Sequence, residues 1–140
     1  MGYAFDETMS GTMTLTADPA TRHPIEFRAN VRVPWIGGNG TMTGTIDAGP
    51  LVRGAAFDGK MVLRPFLGRV IRYEFEFDGD DGERYRFAGQ KDIRWLDPVR
   101  SWTELPGEIT DEGGQVVGTA RTRFHLRRDG LEFLRSWRPA

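Results

Sequence analysis

Lys91 stands where a hydrophobic residue is expected. The segment Tyr85-Arg86-Phe87-Ala88-Gly89-Gln90-Lys91-Asp92-Ile93-Arg94-Trp95 alternates like a half-buried strand. Tyr85, Phe87, Ile93 and Trp95 share one face, and Lys91 falls on it. A charge on a core face is costly unless it is paired or hydrated. Two resolutions follow: a bulge near Gly89 that turns Lys91 outward, or a cavity behind the sheet with Lys91 as its polar marker. In a cavity, desolvation would lower the ammonium pKa. Lys91 could then bind a ligand carbonyl or carboxylate, or form a Schiff base. Lys60 and Lys91 are the only lysines in a chain rich in arginine.

Glu104, between Thr103 and Leu105, is the carboxylate the sequence offers as a partner. A Lys91–Glu104 pair at a lumen mouth would be equipped for acid–base chemistry; an exposed Glu104 would have no such role. Tyr73, Tyr85, Trp95 and Trp102 are candidate pocket aromatics, whose rings pack on an apolar ligand while O–H or N–H groups orient it. In a filled barrel the same rings are plain core. The catalytic candidates are Lys91, Glu104, Tyr73 and Tyr85. The ligand-binding candidates are Lys91, Tyr73, Tyr85, Trp95, Trp102 and Trp35, the last at the tip of a glycine-rich loop, Pro34 to Gly40, read as a lid.

Other chemistries find little support. His23 precedes Pro24 in an expected loop, and His125 is in phase with Arg121, Arg123 and Arg127, so no metal site is expected. Cysteine is absent, which removes disulfides and thiolate ligands, and there is no Gly-x-Ser-x-Gly elbow. The glycine-rich loop leads from strand to strand rather than into a helix, so it is not a phosphate cradle, and no cofactor is expected. The formal net charge is −1, with no basic stripe for nucleic acid or anionic lipid. With no apolar run of membrane-spanning length and no basic-then-apolar start, the chain reads as a cytoplasmic protein.

The elements that must position these residues are almost all strands. Met9 to Thr16, Ile25 to Val33, Thr41 to Asp47, Val70 to Phe77 and Arg84 to Trp95 alternate with period two. Asp18-Pro19 marks a turn after the first. Asp58-Gly59 predicts a tight hairpin between Leu51–Phe57 and Lys60–Phe66. Ser101 to Ile109 reads as a strand interrupted at Pro106-Gly107, and Val116 to Arg127 as another. Leu131 to Trp137 fits a short helix or a last strand. Eight to ten short strands in one domain of 140 residues predict an all-β antiparallel barrel, with a sandwich as the alternative. Small inward residues such as Gly11, Ala29, Gly44 and Ala120 leave room for one small ligand in a barrel of about eight strands.

Several short motifs resemble a known group. Phe5-Asp6-Glu7-Thr8-Met9-Ser10-Gly11 is similar to an F-x-E-x-M-x-G opening, and Asp18-Pro19 to the acidic-proline turn that follows it. Tyr85-Arg86-Phe87-Ala88-Gly89-Gln90-Lys91 resembles a central Y-x-L-x-G-x-K run. Thr103-Glu104-Leu105 resembles a later T-x-L element, with Trp102 where a threonine is usual. The group is a bacterial lipocalin-like domain found beside or fused to cholesterol-oxidase-like (GMC-type) flavin oxidoreductases and some hydrolases. The resemblance implies a β-barrel and a sterol-like or other apolar ligand. It also raises an oxidoreductase as a partner, with a second copy of the chain as the other expectation. It carries over no catalytic residue, and the chain lacks the strand–Gly-x-Gly-x-x-Gly–helix unit that would hold a dinucleotide. Three readings follow: a non-enzymatic binder of a small apolar, sterol-, lipid- or polyketide-like ligand; a small cyclase or isomerase acting on such a ligand; and an accessory module docking on an oxidoreductase.

Overall fold

Period-two alternation closes this chain into a barrel. The computed structural model describes residues 2–34, 38–64, 68–94 and 96–139. Its strands are β1 (Tyr3–Leu15), β2 (Asp18–Val33), β3 (Asn39–Ala48), β4 (Val52–Arg64), β5 (Val70–Asp78), β6 (Arg84–Asp92), β7 (Glu104–Thr110) and β8 (Val116–Arg123). Each pairs antiparallel with the next, and β8 returns to β1 from Ser10↔Arg123 to Leu15↔Gly118. The result is a closed eight-stranded antiparallel β-barrel. One face of every strand lies inside and the other in water, which is what the alternation demands. In β5, Ile71, Tyr73, Phe75 and Phe77 are buried, while Arg72 and Glu76 are exposed. Closure leaves few unpaired strand edges.

The two ends of the barrel differ. At the lower end the lumen is filled by aromatic rings. Phe57 stacks on Phe75 at 4.0 Å, Phe75 stacks on Phe87 at 5.0 Å, and Phe27 meets Phe75 edge-on at 5.2 Å. At the upper end the wall is incomplete. β6 pairs with β7 only from Arg86 to Gly89, and β1 overhangs β8 from Tyr3 to Met9. Two helices occupy these gaps: α1 (Pro98–Thr103) beside β6, and α2 (Leu126–Ser136) along the β1 overhang. A two-residue strand, β9 (Arg138–Pro139), pairs with Tyr3 and Ala4. No helix among the described residues is long and apolar enough to cross a membrane.

Several sequence expectations change. Asp58-Gly59 is not a turn, because β4 runs straight through it, with Gly59 paired to Met42 on one side and Phe75 on the other. A Cβ at Gly59 would run into the Glu74 carbonyl and Phe75, so glycine serves close strand approach here rather than a positive φ. The chain turns between β3 and β4 at Gly49-Pro50-Leu51, where Gly49 has φ +48°. Phe66, placed at the end of that hairpin, lies outside the described residues. β1 begins at Tyr3 rather than Met9, and its turn is Thr16-Ala17, with Asp18 opening β2. His23 lies within β2, not in a loop.

Ser101–Thr103 belong to α1, and β7 passes through Pro106-Gly107 without a break. Pro106 pairs with β8 but lies just past the last β6–β7 pair, where its missing N–H costs no ladder bond. β8 stops at Arg123, and residues 131–136 are helical. Phe133 and Trp137, four apart, both pack on Phe5.

Candidate functional site

Lys91 faces the lumen. The β5–β6 register is unbroken through Ile71↔Lys91, so no bulge rotates it outward, and its side chain is 3% exposed. Its partner is Glu7 on the β1 overhang, 9% exposed, with Nζ 3.8 Å from Oε2. Tyr73, on β5 beside the Lys91 strand, donates its phenolic proton across the lumen to the other Glu7 oxygen, Oε1. Lys91 Nζ also lies 5.2 Å from the centre of the Tyr73 ring, close enough for a cation–π attraction. The three groups therefore form one buried polar cluster contributed by β1, β5 and β6.

Burial shifts two of these groups. Desolvation pulls the Lys91 ammonium below its ordinary value, and the Glu7 carboxylate offsets part of that. Tyr73 is raised well above the ordinary phenol value, first by burial, then by the charge and hydrogen bond of Glu7. Tyr73 therefore keeps its proton at neutral pH. Lys91 is the proton-bearing group with donors left over: the phenol is committed to Glu7, while no hydrogen bond is formed at the ammonium among the described residues.

Above the cluster lies a cavity of about 660 Å³. Met61, Leu63, Ile71, Trp102 and Phe124 wall it, and Glu7, Tyr73 and Lys91 form its polar floor. Phe133 of α2 and Trp137, the residue that follows the helix, close the top. Trp137 stacks on Phe5 at 4.6 Å, and Phe133 meets Phe5 edge-on at 5.4 Å and Phe124 at 5.1 Å. The Asp6 backbone N–H donates to Ser136 Oγ at 2.8 Å, pinning the end of the helix to β1. Leu131 and Leu134 also line the cavity yet are 61% and 68% exposed, which marks the mouth. α1 supplies Trp102 and Thr103. It is held by Arg94 N–H donating to Ser101 Oγ at 2.9 Å and by the Thr103 carbonyl accepting from Phe124 N–H at 2.8 Å.

The structure thus brings Lys91, Tyr73 and Trp102 together and excludes two other candidates. Glu104 opens β7 with its side chain turned away from the lumen, because the neighbouring Leu105 points in. It pairs with Arg100 at 3.1 Å instead of Lys91. Tyr85 lies at the lower end, beside Phe77, and donates to Asp81 at 2.7 Å. Burial and that carboxylate push its phenol up to about 12. Trp35 and Trp95 lie outside the described residues. Glu7 is the residue that sequence reasoning missed. Its signal was present, since Phe5, Glu7, Met9, Gly11 and Met13 share one phase and Glu7 interrupts an apolar face as Lys91 does.

Among the described residues, no three histidine, aspartate or glutamate side chains are grouped to hold a metal ion. No protein-family model matches the chain, and neither does any curated protein or solved structure.

Proposed function

We propose that the barrel binds one small, largely apolar molecule, of sterol-, lipid- or polyketide-like character, in its upper lumen. The observation that carries this reading is the placement of Lys91, Glu7 and Tyr73 at the floor of an otherwise apolar cavity of about 660 Å³. That volume is in the range of small-molecule sites, which are mostly apolar with a few convergent polar groups that fix orientation. A barrel needing only stability would fill this space with side chains, as the lower half does with phenylalanine. The test is a panel of sterols, fatty alcohols and polyketide-like aromatics, scored by thermal shift and by quenching of tryptophan fluorescence, since Trp102 and Trp137 border the cavity. One class should raise the melting temperature in proportion to the logarithm of its concentration. A panel that leaves both signals flat contradicts the reading.

The contact of three titratable groups at the floor favours one second reading, a cofactor-independent cyclase or isomerase acting on the same ligand. Lys91 would hold a developing enolate and Glu7 would move the proton. Recovery of bound material as an isomer of equal mass, lost in Glu7→Gln, separates catalyst from carrier.

A further inference from the structure

We infer that the polar end of the ligand is an uncharged hydrogen-bond acceptor, a ketone or comparable carbonyl oxygen, and not a carboxylate. This rests on the lumen-binding reading above. The only acid and the only base among the described cavity-lining residues are Glu7 and Lys91, and they face each other at 3.8 Å. Wherever the proton between them resides, the pair sums to zero charge. A ligand carboxylate entering this floor would leave water for a site with no unmatched cation, and would lie beside the Glu7 carboxylate.

A carbonyl oxygen meets the opposite situation. The Tyr73 hydroxyl is spent on Glu7 Oε1, and Glu7 Oε2 lies beyond hydrogen-bond reach of Nζ. The unspent donors on the floor are therefore the N–H groups of Lys91, at the base of the cavity. A carbonyl accepts one of them without adding charge, and its apolar body takes the walls formed by Leu63, Ile71 and Phe124. Glu7 remains to hold Lys91 and Tyr73 in place.

The test uses the full chain at pH 8 and three twelve-carbon probes: methyl decyl ketone, dodecanoate and dodecane, compared by calorimetry or by competition for tryptophan quenching. The ketone should bind about tenfold or more tightly than either of the others, the discrimination expected when one buried donor is satisfied by the ketone and left unmet by the other two. Because Lys91→Met alone can unfold the barrel by stranding Glu7, the paired variant Glu7→Gln/Lys91→Met is measured with it. In that variant the ketone's advantage over dodecane should shrink to about threefold or less. Dodecanoate or dodecane binding as tightly as the ketone overturns the inference while leaving the lumen as a binding site. Failure of all three probes to bind overturns the lumen reading itself, and the inference with it.

Discussion

Lys91, Glu7 and Tyr73 each occupy an inward strand position at which an apolar side chain would be cheaper, and each is tolerable because of the other two. Replacing one member is therefore costlier than replacing the charged pair. Lys91→Met should destabilise the fold by about 3–5 kcal/mol, since it leaves the Glu7 carboxylate buried without its cation, whereas Glu7→Gln/Lys91→Met should recover most of the loss. Urea unfolding of the three proteins checks this, and equal losses in the single and paired variants would argue against a coupled pair. The phenols supply a pH test. Tyr73 and Tyr85 are both raised in the folded chain, so their contribution to stability is complete below about pH 10 and is lost as pH rises through their folded values, about 12 for Tyr85. Lys91 acts in the other sense at lower pH: its depressed folded value makes stability rise as pH climbs toward 10.5. Ultraviolet titration should find these two tyrosines ionising only as the chain unfolds in alkali; release of both near pH 10 in the folded protein would contradict their burial. Lys91 and Tyr73 were legible because their strands alternate cleanly. Glu7 was not, because its strand was taken to begin at Met9, whereas it begins at Tyr3 and carries Glu7 on its inward face.

At the scale of elements, the departures from the sequence reading share a physical cause: local turn chemistry was overruled by packing between strands. Asp58-Gly59 has the composition of a type I′ turn, yet Gly59 serves close contact with Phe75, and Asp58 sits outward opposite Glu76. Asp58→Thr should therefore leave stability within about 0.5 kcal/mol or raise it, by removing a like-charge pair from a strand. In a two-residue turn the same change would force threonine to positive φ and cost far more; a large loss in denaturant unfolding would restore the hairpin. Glu104 stood open between a lumen partner and an exposed carboxylate, and the structure gives the second. Thr103 and Leu105 on either side are both buried, so the carboxylate between them turns outward to Arg100. Most of the barrel strands were visible as alternation. α1 was not, because it has only six residues, and α2 was visible only as one of two options for Leu131 to Trp137, because it packs on Phe5 and Phe124, which are distant in sequence.

The whole molecule is a barrel of two halves, one packed with phenylalanine and one open over a polar floor. This asymmetry predicts unequal responses to truncation. Phe75→Ala, in the packed half, should cost about 3–5 kcal/mol. Leu63→Ala, on the cavity wall, should fall at or below about 2 kcal/mol, because its side chain already borders a void. Comparable losses by thermal or urea unfolding would mean that the upper half is packed like the lower. The central claim is that this open half holds a ligand, and native mass spectrometry of the protein purified from its own host, followed by denatured extraction, tests it most directly. We expect the folded chain to carry the added mass of one small molecule, and the extract to yield an apolar compound bearing an uncharged oxygen. A chain that flies at its bare mass, releases nothing on denaturation and binds none of the ligand panel would contradict the account.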